Sequence, residues 1–208
     1  MSVRSLSVFL FLCLAGCSGP PPAPPGEALL AEGRRQFADG DPAAAARSIE
    51  AALTEGVREP ALAETSLGNA LVADGRVEEA KERHLRAISL DPDLHVAWVN
   101  LGISQRLLGD YAGAAESYAR AEALAPDYAE LHASKGALAL SRGDAATAEV
   151  SLRRAIALSP DLAVPHANLA LALAELGRRE EAEAALKEAV ARGYAREAVV
   201  RARIEAAR

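Results

Sequence analysis

The chain has 208 residues and a formal net charge of −6 at pH 7, from 29 acidic and 23 basic residues. This balance argues against nucleic-acid binding, because such binding depends mostly on basic contacts to phosphate groups. Both cysteines, Cys13 and Cys17, lie near the N-terminus. The rest of the chain can therefore form neither a disulfide nor a thiolate metal site.

The first residues have the pattern of an export signal. Arg4 supplies a positive charge, and an apolar run follows at residues 8–15. This run is too short to cross a bilayer as a helix, which needs about 20 residues, but it suits the apolar region of a signal peptide. A plain secretory signal with an incidental cysteine behind it is one interpretation.

The run ends in Leu-Ala-Gly-Cys at residues 14–17, which resembles the lipobox of bacterial lipoproteins. The resemblance implies that residues 1–16 are a lipoprotein signal peptide. It also implies that Cys17 becomes the mature N-terminus, joined by a thioether to diacylglycerol and bearing fatty acids such as palmitate. Ser18, rather than an aspartate, follows the cysteine, as in outer-membrane lipoproteins. The expected location is therefore the bacterial outer membrane, facing the periplasm.

A proline-rich segment follows the cysteine. Residues 20–25 contain five prolines, which exclude a helix and favour an extended polyproline II conformation. We interpret residues 17–26 as a lipidated cysteine and a tether that holds the following domain away from the membrane surface. A binding site for a proline-recognition module is the alternative.

From residue 27 onward the sequence is rich in alanine and repeats every 34 residues. Pro92, Pro126 and Pro160 are 34 apart, and an aspartate follows each of them. Such columns in register predict an array of repeated units. Three further columns share this interval: Gly68, Gly102 and Gly136 with Ala170; Gly75, Gly109, Gly143 and Gly177; and Ala80, Ala114, Ala148 and Ala182.

The central unit, residues 95–128, indicates how each unit folds. Gly102 and Ala114 are expected where two antiparallel helices cross, because only small residues allow the two backbones to approach closely. Side chains of larger residues should fill the space around this crossing. These are Trp98, Leu101, Tyr118 and Leu124.

The boundaries of the two helices follow from turn-forming and capping residues. Gly109 and Asp110 supply the turn, and Asp110 is a candidate N-cap of the second helix. Pro126 should end that helix, because it has no backbone N–H to donate and its ring collides with the preceding turn. Asp127 is then expected to cap the next helix.

The order of Trp98, Gly102, Tyr118 and Pro126 resembles the tetratricopeptide repeat, a helix–turn–helix unit of 34 residues. Gln105 departs from it, because the family usually has an aromatic residue there. The resemblance implies an all-α, right-handed α-solenoid of about five repeats with a C-terminal capping helix. The expected units are 27–60, which is degenerate, then 61–94, 95–128, 129–162 and 163–194, with the cap at 195–208.

No motif for catalysis or for phosphate or metal binding is present. His132 and His166 occupy the position of Trp98, and His84 occupies that of Tyr118, so all three are expected to be buried or half-buried. His95 opens a helix and is expected to be exposed. No two histidines have the helical spacing of a metal site. We therefore expect no enzyme activity, no cofactor, no metal and no small-molecule substrate.

The resemblance also implies that a partner binds along the concave face, which is lined by the first helix of each unit. Asparagine suits such a groove, because its amide can both donate to and accept from an extended peptide. Asn69 and Asn100 match the asparagines of repeats that clamp C-terminal carboxylates, but Thr65, Glu130 and Ser134 replace the basic residues of that clamp. Both asparagines could instead be solvated or bridge helices. The expected groove residues are Arg34, Asn69, Asn100, Ile103, Arg106 and Asn168.

The expected function is that of a non-catalytic adaptor that binds a partner protein or peptide. Similar lipoproteins act in the assembly of type IV pili and secretion systems, and others are adaptors of cell-wall hydrolases. An alternative is a regulatory or recruitment module for a separate envelope enzyme, either a hydrolase or a glycosyltransferase. A third interpretation is a structural spacer. The locally basic last helix is interpreted as a solvated cap, with contact to lipid headgroups or cell-wall acids as the alternative.

Overall fold

The computed structural model describes residues 23–207. The predicted signal peptide, Cys17 and most of the proline-rich tether lie outside the described residues. Within them the chain forms eleven α-helices: α1 Glu27–Ala38, α2 Pro42–Glu55, α3 Pro60–Ala73, α4 Val77–Leu90, α5 His95–Leu107, α6 Tyr111–Leu124, α7 Ala129–Ser141, α8 Ala145–Leu158, α9 Ala163–Glu175, α10 Arg179–Ala191 and α11 Glu197–Ala206.

A tight turn joins the two helices of each unit. Gly109 has a φ of +81°, a conformation that glycine adopts without the steric cost of a side chain. Asp110 follows, and its Oδ1 accepts the Gly113 N–H at 2.9 Å, so the predicted N-cap of α6 is confirmed. Asp41 and Asp144 cap α2 and α8 in the same way.

The two helices of a unit approach most closely at a glycine of the first helix. A Cβ atom added to Gly102 would lie 2.4 Å from Cε1 of Tyr118, so the tyrosine ring packs directly on the glycine. Ala114, one turn earlier on α6, is fully buried. The same arrangement recurs in three other units, whereas the fifth has Ala170 at this position. The pairs are Gly33 with Ile49, Gly68 with His84, and Gly136 with Leu152.

Two side chains expected to fill the central crossing are less buried than predicted. Leu101 and Tyr118 are buried, but Leu124 is 41% exposed, so the prediction for Leu124 is wrong. Leu90, at the equivalent position of α4, is also exposed. Trp98 is only half-buried.

The end of α6 is as predicted, but the start of α7 is not. α6 ends at Leu124, and Pro126 follows its C-cap residue Ala125. The N-cap residue of α7 is Tyr128, and its side chain makes no capping hydrogen bond. The predicted cap, Asp127, instead accepts a hydrogen bond from Nη2 of Arg154 on α8. Its carboxylate thus joins a loop to the next outer helix.

Gln105 stands where the family usually has an aromatic residue, and a polar contact replaces the aromatic packing. Its Oε1 accepts the Ser117 hydroxyl at 2.6 Å, which joins α5 to α6. Gln36 and Ser48 make the equivalent contact between α1 and α2 at 2.8 Å.

The array has an inner and an outer layer. The first helices of successive units, from α1 through α3, α5, α7 and α9 to α11, pack against one another in turn. Among residues 23–207 the backbones of successive second helices do not approach one another in this way, and long side chains bridge them, as in the ion pairs of Arg83 with Glu50 and of Arg153 with Glu181. Because only the first helices approach one another, they form the inner layer of the curved array. The second helices lie on its outer side.

The last helix, α11, packs against both α9 and α10 and buries Val200 and Ile204 in their shared core. The predicted fold class, an α-solenoid of five helix–turn–helix units with a C-terminal capping helix, is confirmed. None of the helices among the described residues is long and apolar enough to cross a membrane.

Candidate functional site

The inner layer is the surface on which a partner was expected. Asn69 lies on α3, Asn100 on α5 and Asn168 on α9, and all three side chains are half-buried. Ile103 and Arg106 follow Asn100 at helical intervals on α5 and are also half-buried, whereas Arg34 on α1 is exposed. The inner face therefore presents amide groups and a guanidinium among partly accessible apolar residues.

Two positions of a carboxylate clamp are closed in this structure. Thr65 is 3% exposed, and its hydroxyl donates to the Ala61 carbonyl within its own helix at 2.9 Å. Ser134 is also buried, and only Glu130 remains exposed. Because none of the three offers a positive charge, Asn69 and Asn100 lie in a groove without the basic frame of that clamp.

Arg106 occupies the centre of the inner face, between α5 and α7. Its Nη1 lies 3.5 Å from the Ser141 hydroxyl of α7. Its Nε is buried and has no hydrogen-bond partner among the described residues. The buried Tyr118 hydroxyl lies beside Arg106 and Ser134, close enough to interact with both side chains. Burial raises the pKa of Tyr118 above its ordinary value, and the positive charge of Arg106 opposes this rise.

Trp98, His132 and His166 share a structural role at the start of their helices. The Trp98 indole N–H donates to the Pro92 carbonyl at 2.8 Å. His132 Nε2–H donates to the Pro126 carbonyl at 2.7 Å, and the ring of His166 makes the same bond to Pro160 at 3.0 Å. Each aromatic ring thus fixes the loop that precedes its own unit. This role accounts for both histidines without any catalytic function.

The other two histidines also have structural surroundings. His84 is fully buried against Gly68, with Nδ1 3.1 Å from the Ser104 hydroxyl. Burial lowers the pKa of His84 from 6.5 to about 4, and a hydrogen bond with the Thr65 backbone opposes this to a smaller extent. His95 was expected to be exposed but is half-buried, because its ring packs edge-on against Tyr128.

A buried acid on α3 was not predicted from the sequence. Glu64 is 2% exposed and occupies, in the second unit, the position of Trp98. Its carboxylate lies 3.1 Å from Arg86 Nε and 3.6 Å from Arg83 Nη1, both on α4. The sequence did indicate this site, because an acid stands at a repeat position that aromatic residues occupy in other units. The two arginines compensate its charge, so this cluster joins α3 to α4.

Among residues 23–207, no group of three or more histidine, cysteine, aspartate or glutamate side chains is placed to hold a metal ion. The polar groups of the inner face are mainly amides, hydroxyls and the guanidinium groups of Arg34 and Arg106, with Glu130 as an exposed carboxylate. Such groups can form hydrogen bonds with a peptide and can bind an anion. The geometry of the face therefore fits recognition of a polypeptide.

Models of the tetratricopeptide repeat match residues 30–95, 65–129, 99–163 and 139–204. These matches span most of the chain, which therefore belongs to the tetratricopeptide repeat family. Proteins of this family mediate protein–protein interactions, and their scaffold is typically non-catalytic. No curated protein matches the sequence.

Several solved structures are similar to this chain. TTC0263, a thermophilic TPR protein of Thermus thermophilus, has a TM-score of 0.75 and 26% identity over 88% of this chain and 98% of its own. A chain of the APC/C hetero-tetramer Cut9-Hcn1 has a TM-score of 0.80 and 21% identity, covering 88% of this chain but 36% of that one. MamA of Desulfovibrio magneticus RS-1 has a TM-score of 0.59 and 16% identity over 82% of this chain and 96% of its own. The last two similarities concern the fold alone.

Proposed function

We propose that this chain is a non-catalytic adaptor that binds an extended segment of a partner protein along the inner face of α3, α5, α7 and α9. The observation that supports this most directly is the set of half-buried asparagines on three of the first helices, namely Asn69 on α3, Asn100 on α5 and Asn168 on α9. An amide can donate to one peptide group and accept from the next, so such a set matches a polypeptide backbone without requiring one sequence.

Lipid attachment is the second part of the proposal. Its support is the Leu-Ala-Gly-Cys run at 14–17 and the proline-rich segment that joins it to the folded array. An acylated Cys17 would hold the array at the bacterial outer membrane, on the periplasmic side. The groove would then be presented near the membrane surface, at a distance that residues 18–26 determine.

The proposed setting is the assembly of a cell-envelope machine, such as a type IV pilus or a secretion system. The second candidate is recruitment of a separate envelope enzyme, a cell-wall hydrolase or a glycosyltransferase. Both follow from the combination of a lipoprotein signal with a peptide-binding array. They differ in the partner, so the identity of the bound protein separates them.

In-cell crosslinking followed by pull-down of the full-length protein tests the groove. The comparison is with Asn69→Ala/Asn100→Ala/Asn168→Ala, and the matched control is Glu116→Ala/Arg120→Ala, two exposed positions on the outer helix α6. We expect a partner that the wild type and the control capture and that the triple variant loses. Equal capture by all three proteins would place binding elsewhere on the molecule.

Lipid attachment is tested separately with Cys17→Ser. Because the thiol is the proposed acceptor of the lipid, this variant should incorporate no labelled fatty acid and should leave the membrane fraction. Acylation of the variant at the wild-type level would contradict the lipoprotein assignment and would leave the groove proposal intact.

A further inference from the structure

Arg106 differs from every other half-buried arginine of the described residues. The other three each have a carboxylate close by: Arg83 Nη2 lies 2.6 Å from Glu50, Arg178 Nη1 lies 2.7 Å from Glu149, and Arg192 Nη1 lies 2.5 Å from Glu188. None of the ion pairs among residues 23–207 involves Arg106. Residues 1–22 contain no aspartate or glutamate that could supply one. Arg106 is thus a partly desolvated cation that lacks a carboxylate partner.

The immediate surroundings of the Arg106 guanidinium also provide few hydrogen-bond acceptors. Its Nε is buried and makes no hydrogen bond of good geometry, although the buried Tyr118 hydroxyl lies beside it. The contact with Ser141 is long at 3.5 Å. A polar group that has lost water without gaining a hydrogen bond is unfavourable, and more so when it is charged. An anion bound at the Nη atoms of Arg106 would lower that cost.

The surface beside Arg106 is apolar. Ile103 and Leu140 are half-buried on α5 and α7, and Leu107 at the end of α5 is 47% exposed. Glu130, exposed on α7, adds a negative charge to the same layer and so disfavours a strongly acidic partner. A segment with one acid and apolar neighbours is complementary to this combination.

The groove continues past Arg106 in both directions. Asn69 lies on α3, before it along the array, and Asn168 lies on α9, after it. A segment that contacts both asparagines runs across Arg106 and does not end there. The cations of the C-terminal carboxylate clamp are moreover replaced by Thr65, Glu130 and Ser134. The partner carboxylate that suits Arg106 therefore belongs to a side chain within the segment and not to the C-terminus of the partner.

We propose that Arg106 anchors the side-chain carboxylate of a single aspartate or glutamate within an otherwise apolar, extended segment of the partner. This inference rests on the proposed function and adds the chemistry of the segment that the groove selects. The planar guanidinium can bind both oxygens of a carboxylate at once, and a lysine could not reproduce that geometry.

The test uses a displayed library of random peptides, selected on the full-length chain in mild detergent. Enriched peptides are then synthesised, each beside an analogue in which the acid is replaced by its amide, and their binding is measured by fluorescence anisotropy. The variants are Arg106→Gln, Arg106→Lys and the matched control Arg120→Gln, which removes the same charge from an exposed outer position. Thermal melting confirms that each variant is folded.

We expect the enriched peptides to share one acid between apolar residues. Arg106→Gln or loss of the acid should each weaken binding by about 10- to 100-fold, as for hydrogen bonds between charged groups. The two changes together should cost little more than either alone, because both remove the same contact. Arg106→Lys should fall between the wild type and Arg106→Gln, and Arg120→Gln should bind as the wild type does.

The contrary outcomes separate the two proposals. Enriched peptides that lack an acid, or that bind Arg106→Gln as tightly as the wild type, overturn the role of Arg106. If those peptides still lose binding to Asn69→Ala/Asn100→Ala, the groove proposal stands. Peptides that are indifferent to both sets of substitutions, or no enrichment at all, count against both proposals.

Discussion

Lys135 Nζ lies 2.8 Å from Glu122 Oε1, and this ion pair joins α6 to α7 where the equivalent positions of neighbouring junctions are aliphatic. At the next junction, the same positions hold Ile156 and Leu169, which belong to one hydrophobic cluster. α6 and α7 contact each other less extensively than the helices at the other inter-repeat junctions, and a cavity opens beside the ion pair. The centre of the array is therefore its least apolar junction.

Replacing this ion pair by the residues of the next junction should stabilise the protein. We expect Glu122→Ile/Lys135→Leu to raise the free energy of unfolding by about 1 kcal/mol, because apolar contact replaces a partly desolvated pair. The single variant Glu122→Ile should gain less, since it leaves Lys135 unpaired. Urea denaturation measures both effects. A double variant less stable than the wild type would show that the polar junction contributes to stability.

The close contact between Gly102 and Tyr118 predicts a cost for any side chain at Gly102. Gly102→Ala should destabilise the protein by about 1–3 kcal/mol, because its Cβ would overlap the tyrosine ring. The chain itself offers the rescue, since Ala170 and Leu186 occupy these two positions in the fifth unit. Gly102→Ala/Tyr118→Leu should therefore recover part of the loss in a denaturation experiment. Full tolerance of Gly102→Ala would be incompatible with this packing.

His84 should make stability depend on pH. Its pKa is about 4 in the folded protein and near 6.5 when unfolded, so the unfolded chain binds a proton first as the pH falls. Its contribution is complete above the unfolded pKa and is lost between there and about pH 4, with a slope of up to about 1.4 kcal/mol per pH unit. In His84→Leu, which copies Leu152, the free energy of unfolding should fall less between neutral pH and pH 4 than it does in the wild type. Identical pH profiles for the two proteins would exclude this role of His84.

The bond from His132 to the Pro126 carbonyl should be replaceable by another ring N–H donor. His132→Phe keeps an aromatic ring but leaves the carbonyl without its donor, and we expect a loss of about 0.5–1.5 kcal/mol. His132→Trp, which copies Trp98 and its bond to Pro92, should lose less. Thermal unfolding of the two variants gives the comparison. Equal melting temperatures would mean that the ring contributes by packing alone.

Local rules in the sequence were sufficient for most of the helix boundaries. Gly109 and Asp110 determine a turn and a cap by their own chemistry, and recurrence at 34 residues extended that prediction along the chain. Asp127 satisfied the same local rule but is not the cap, because α7 begins one residue later than expected and Tyr128 is its N-cap residue. The carboxylate of Asp127 pairs instead with Arg154, 27 residues away. The predicted burial of Leu124 was wrong for a related reason, since its exposure depends on whether another helix covers it.

The central feature of the candidate site was less accessible from sequence. Arg106 was placed on the inner face by its position in the repeat, but its lack of a carboxylate partner depends on where every acid of the chain lies in space. The burial of Ser134 and Thr65 is likewise a property of the packed array. Sequence columns indicate which side chains face inward, and only the structure shows which of them remain unsatisfied.

The separation of the outer helices has a mechanical consequence. Because the backbones of successive second helices stay apart, force applied along the array can spread this layer by breaking side-chain ion pairs, such as that of Arg83 with Glu50, without separating packed helices. The inner helices, which pack against one another along the whole array, would then hold the units together while the array bends. The polar junction between α6 and α7 is its most compliant point, so extension or bending would change the width of the groove first beside Arg106. A force between the two ends of the array would thereby alter the binding of a partner segment at its centre.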